Sequence, residues 1–161
     1  MSPIVGIFKA GKNEKGMTLI EVILTTALLS LLLVASYALI SSGLKMYRQT
    51  LDESSDLQNA RYAIYRLSVA IGQAKDVRVV SKSKVEIKMP DNSKVYYYLQ
   101  YGTLYREKNG GKNPVAELSF IEFYQNPETK TVKIVLKAGR ERGITLQTSV
   151  TPIGAVIGIK P

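Results

Sequence analysis

The chain has 161 residues, a length that suits one globular domain with an appended element, and it contains neither cysteine nor histidine. Those absences exclude a disulfide framework, thiolate metal sites and a cysteine nucleophile, and they remove the commonest metal ligand and neutral-pH general base. The formal net charge of +9 sits mostly after residue 73 as scattered lysines and arginines, a solvated basic surface that leaves anionic partners such as nucleic acid or wall polymers open without supporting them.

Residues 1–16 carry Lys9, Lys12 and Lys15 just ahead of an apolar run. Positive charge before a first span holds that end in the cytoplasm. The segment therefore reads as a cytoplasmic leader rather than part of a fold. Residues 17–44 read as a membrane-spanning helix. Residues 22–40 carry no formal charge and no proline, and Leu28, Leu29, Leu31, Leu32 and Leu33 make the helix apolar all round. A helix of that length nearly matches a hydrocarbon core of about 30 Å.

Residues 45–72 continue the helix as an amphipathic one. Its stripe is Leu44, Tyr47, Leu51, Leu57, Ala60, Ile64, Leu67 and Ile71, with Ser54 filling a gap. Gly72 is the expected stop. From residue 73 the period falls to two. Strands are expected at Lys84–Met89, Val95–Gln100, Thr103–Glu107, Leu118–Tyr124, Thr131–Ala138 and Ile144–Val150, with residues 109–114 as a loop. The expected fold is α+β, a long N-terminal helix whose second half covers a small antiparallel sheet over residues 73–161.

Within the apolar run, Glu21 stands out. A carboxylate near the start of a membrane span costs on the order of a few kcal/mol and calls for a partner. A cut after Gly16 would supply one, because it places a new α-amino group on Met17. Such a pair could close within a chain or between neighbouring chains, and the chemistry alone does not choose. The plainer readings are a loop glycine at Gly16 and an acid at Glu21 that reaches back to headgroups.

The stretch Lys15-Gly16-Met17-Thr18-Leu19-Ile20-Glu21-Val22 resembles the type III signal of type IV prepilins, pseudopilins and competence pilins. The resemblance implies cleavage between Gly16 and Met17 by a membrane prepilin peptidase and N-methylation of Met17. It implies that Glu21 pairs with the N-terminal amine of an adjacent subunit during filament assembly. The implied partners are the peptidase, other pilin or pseudopilin subunits, an assembly platform and the membrane. The implied location is the cytoplasmic membrane, C-terminal domain outside, and then a surface filament. Met17 stands where the family most often has phenylalanine. The span without proline suggests a minor pilin or pseudopilin, resembling the J-type pseudopilins and minor competence pilins.

Three competing features have plainer explanations. Ser36-Tyr37-Ala38 would pass as a secretory cleavage motif, and an uncut signal anchor is the other rival, yet the helical pattern runs on through Leu44, Tyr47 and Leu51. Tyr96, Tyr97, Tyr98, Tyr101 and Tyr105 could stack on single-stranded bases, but tyrosine also suits half-buried strands. Glu117, Glu122 and Glu128 read as outward strand and loop residues. No catalytic, cofactor or metal residue is assigned, and the chain is not expected to be an enzyme. A structural filament subunit is the first function class. A monomeric, membrane-anchored extracytoplasmic binding protein with a basic β domain is the second.

Overall fold

The computed structural model describes residues 17–139 and 143–158. In chain order the elements are α1 (Leu19–Gly72), β1 (Asp76–Ser81), β2 (Lys84–Lys88), β3 (Lys94–Gln100), β4 (Thr103–Lys108), β5 (Gly111–Glu117), β6 (Phe120–Gln125), β7 (Val132–Ala138), β8 (Ile144–Val150) and α2 (Ile153–Val156). A long N-terminal helix packed on antiparallel sheet makes this an α+β fold. The described residues divide into two units, one up to Lys45 and one from Met46 onward.

The first unit contributes the N-terminal part of α1. Its large apolar side chains, from Leu19 to Leu44, are exposed. By length and composition α1 can cross a membrane.

In the second unit the strands form two antiparallel sheets rather than one. The first is a meander in the order β1-β2-β3-β4-β5 and the second runs β6-β7-β8. They are joined edge to edge. Phe123 donates its backbone N–H to the Lys82 carbonyl at 2.8 Å. The Gln125 side chain then imitates a strand, donating to the Val77 carbonyl at 2.7 Å and accepting from the Val79 N–H at 3.4 Å.

Two strands went unread in the sequence. β1 lacks a strict alternation, and its pairing with β2 is irregular between Val79 and Ser81. β5 occupies most of the stretch expected to be a loop. Asn109 and Gly110 both take positive φ, 52° and 80°, which is the two-residue turn that suits a hairpin. Pro114 is tolerated because β5 is an edge strand, and the register shifts beside it between Leu104 and Tyr105.

One core unites the layers. From α1 come Ala60, Ala63, Leu67 and Ile71, fully buried. They meet Val85, Ile87, Val95, Tyr97 and Leu104 of the first sheet and Ile121, Phe123, Ile134 and Leu136 of the second. The small side chains at Ala60 and Ala63 let the helix backbone approach the sheets.

The helical stripe is corrected by this packing. Ile64 is partly buried and packs against the core and Leu57 is half-buried, whereas Tyr47 and Leu51 are exposed. From Leu51 to Ala60 the helix makes about two and a half turns, so the two lie on opposite faces. What reads as one stripe is two, and Ser54 marks the changeover.

Candidate functional site

The start of α1 is built around two side chains. Thr18 donates its backbone N–H to Glu21 Oε2 at 2.8 Å and its hydroxyl to the same oxygen at 2.9 Å. Glu21 in turn donates its own N–H to the Thr18 hydroxyl oxygen at 3.4 Å. This is a reciprocal capping box, threonine at the N-cap and glutamate three residues on, which satisfies donors a helix start leaves orphaned. The carboxylate also lies at the positive end of the helix dipole. Glu21 therefore has hydrogen-bond partners in its own chain, the Thr18 N–H and hydroxyl, rather than a cation. The Thr-x-x-Glu spacing was the signal for Thr18.

Hydroxyls further along are satisfied within the helix. Thr25 donates to the Glu21 carbonyl at 2.8 Å, Thr26 to the Val22 carbonyl at 2.9 Å, and Ser30 to the Ala27 carbonyl at 2.8 Å. No hydroxyl in that turn-and-a-half needs water, which suits a helix in an apolar surround. Along one side of the same region Ala27, Ser30, Val34 and Ala38 succeed one another, and their mostly small side chains leave shallow relief. Small side chains let a second helix come close.

A second exposed stripe belongs to the part of α1 in the folded unit. Tyr47, Leu51, Tyr62 and Tyr65 are 63%, 52%, 49% and 64% exposed, and Val69 is exposed beside them. Leu51, Tyr62, Tyr65 and Val69 recur at close to whole numbers of turns, so they share the face turned away from the core. Tyr47 and Leu51 are therefore exposed rather than part of the core stripe expected from their spacing, and Tyr62, Tyr65 and Val69 are exposed with them.

Of the residues singled out in the sequence, Gly16 lies outside the described residues. Met17 is exposed and immediately precedes the capping box. The tyrosines separate. Tyr97 is buried in the core and Tyr101 sits in the β3–β4 turn, almost fully exposed. Tyr96, Tyr98 and Tyr105 lie on the sheet face away from the core, where Lys84 and Lys112 sit over their rings. Glu122 pairs with Lys82 at 3.6 Å, and Glu117 and Glu128 are exposed.

Residues 11–37 match the family model described as the prokaryotic N-terminal methylation motif. The match spans Gly16, Met17, the capping box and, on that face of the helix, Ala27, Ser30 and Val34. Comparison with curated proteins and with solved structures finds no match to this chain.

Proposed function

We propose that this chain, whose N-terminal methylation motif is the type IV prepilin-like signal, is a minor pilin or pseudopilin subunit of a type IV pilus-like filament. The motif over residues 11–37 is the observation that carries this reading. It supports a precursor that a prepilin peptidase cuts between Gly16 and Met17, with methylation of the new Met17 amine. The leader of residues 1–16 stays in the cytoplasm and the sheet domain lies outside the membrane. The subunit then serves protein secretion, DNA uptake or surface attachment and motility.

The physical logic runs through α1. In lipid its exposed apolar side chains meet acyl chains. In a filament the same side chains meet sister helices, so extraction forfeits little apolar burial. The small side chains at Ala27 and Ala38 let helices approach, and the stripe from Tyr47 to Val69 extends the contact beyond the membrane-length segment. Glu21, held at the first turn by Thr18, is aimed at the helix start, where a neighbour's Met17 amine completes the pair and sets register.

The test is Glu21→Ala in the full-length chain, expressed in its host. Membrane insertion and leader removal stay normal while incorporation into sheared filaments falls at least about tenfold, as loss of a partly buried ion pair implies. Incorporation equal to that of the unmodified chain contradicts the assembly role.

A further inference from the structure

Beside the exposed face of α1 lies a small cleft of about 210 Å³ between the helix and the first sheet. Its polar wall is made of Arg66 from α1 and Arg106 from β4, with the Gln73 amide beside them and Tyr97 of β3 between strand and helix. Tyr97 and Arg106 are direct register partners, and Arg106 shares the helix-facing side of β4 with buried Leu104. Tyr65, Val69 and Met89 supply apolar walls. The Arg66 guanidinium carbon stands 5.9 Å from the centroid of the Tyr62 ring, which steadies the cation from the helix side.

Positive charge converges here, with the neutral Gln73 amide and the Tyr97 hydroxyl as the other polar groups. Among the described residues no carboxylate lines the cleft. Among the described residues, ion pairs join Lys82 to Glu122 and Lys94 to Glu86, and neither involves Arg66 or Arg106. Burial pushes the Tyr97 phenol above its ordinary value, and Arg106 and Arg66 pull it back, so both guanidiniums act on the same hydroxyl. The exposed Arg66 and half-buried Arg106 thus present positive charge at the mouth of the cleft that an anionic group can join.

We propose that this cleft is a carboxylate-docking site, filled by an acidic side chain of a neighbouring protein subunit. The proposal rests on the assembly reading above and names the chemistry of one contact in it. A guanidinium pair matches a carboxylate by bidentate hydrogen bonding, and the phenol adds a third donor. The size suits a side chain rather than a nucleotide. The rim is continuous with exposed Tyr62, Tyr65 and Val69, so a partner that covers those rings brings its acid to the cleft.

The test uses the full-length chain in host cells, with Tyr65 replaced by photoreactive p-benzoylphenylalanine and, separately, Leu51 replaced by the same probe as a report on assembly alone. The expected result is a Tyr65 adduct on a protein segment that holds an aspartate or glutamate. Its yield drops about tenfold in Arg66→Glu and in Arg106→Gln, while the Leu51 adduct persists in both. Reversing the partner's acid to lysine restores the Tyr65 adduct of Arg66→Glu. A Tyr65 adduct indifferent to both arginines, one on lipid, or one on a segment without an acid overturns the proposal, as does a Leu51 adduct with none at Tyr65. Absence of adducts at both positions in the otherwise unmodified chain sinks the assembly reading, and this site with it.

Discussion

Thr18 and Glu21 hold one another at the first turn of α1, one carboxylate oxygen taking both the backbone N–H and the hydroxyl of the threonine. The acid in the apolar segment is thus positioned before any second chain arrives. An N-cap of this kind is worth about 1 kcal/mol. Thr18→Ala in detergent should speed amide exchange over Glu21 to Ile23 about fivefold. Exchange rates beyond Thr25 should not change. Equal exchange at the first turn would mean the box does not form in solution.

Ala27 and Ala38 lie along one side of α1 together with Ser30 and Val34. Filling the shallow relief there with Ala27→Leu and Ala38→Leu makes the helix more apolar, so membrane insertion should be unimpaired. Close helix approach is blocked, and overpacking of about 1–3 kcal/mol should cut filament incorporation on the order of tenfold. Quantifying the chain in membranes and in sheared filaments separates the two effects.

Gly154 anchors the C-terminal turn α2 against the start of β1. A Cβ there would collide with the Lys75 carbonyl oxygen, and the Gly154 N–H donates to the Ala74 carbonyl at 3.1 Å. Gly154→Ala must displace backbone, and about 2–3 kcal/mol of stability should be lost. Thermal unfolding followed by circular dichroism checks this. Gly110→Ala, where nothing lies within 4 Å but φ is +80°, should cost less.

The pair Lys94 and Glu86 makes stability depend on pH at both ends. Its N–O distance is 2.9 Å. The hydrogen bond from Lys94 holds the Glu86 carboxyl below its ordinary value, and Glu86 raises Lys94. A lowered carboxyl contributes stability that is present above about pH 4.3 and lost as pH falls through the folded-state value. A raised ammonium contributes stability present below about pH 10.4 and lost above it. Glu86→Gln should flatten both limbs. The pair is solvent-accessible, so the difference in Tm should be small and should shrink further in high salt. A Tm gap that widens below pH 4 contradicts this linkage.

How much of this was legible depended on whether the signal was local. The apolar span, the change of period at Gly72 and the lone Glu21 are properties of short windows, and each led to the helix, the sheet region or the helix start. The Thr18 partner was equally local, written as Thr-x-x-Glu, but it is read only by asking what caps the helix. The stripe failed for a geometric reason. Steps of three and four drift around a helix, and joining Leu51 to Leu57 across Ser54 switched faces unnoticed. Asn109-Gly110 was a strong hairpin signal, outweighed by the neighbouring Gly111 and Pro114, which an edge strand accepts. The split into two sheets was not legible. It depends on β6 pairing with β7 rather than β5, and on a Gln125 side chain standing in for backbone against Val77 and Val79, both set by residues far apart in the chain.

The intact mass of the chain recovered from host filaments tests the central claim most directly. The account predicts a polypeptide that begins at Met17 and carries one added methyl on its amine. A filament-borne chain that keeps residues 1–16, or one that begins near Leu39 and has lost the apolar helix, contradicts it.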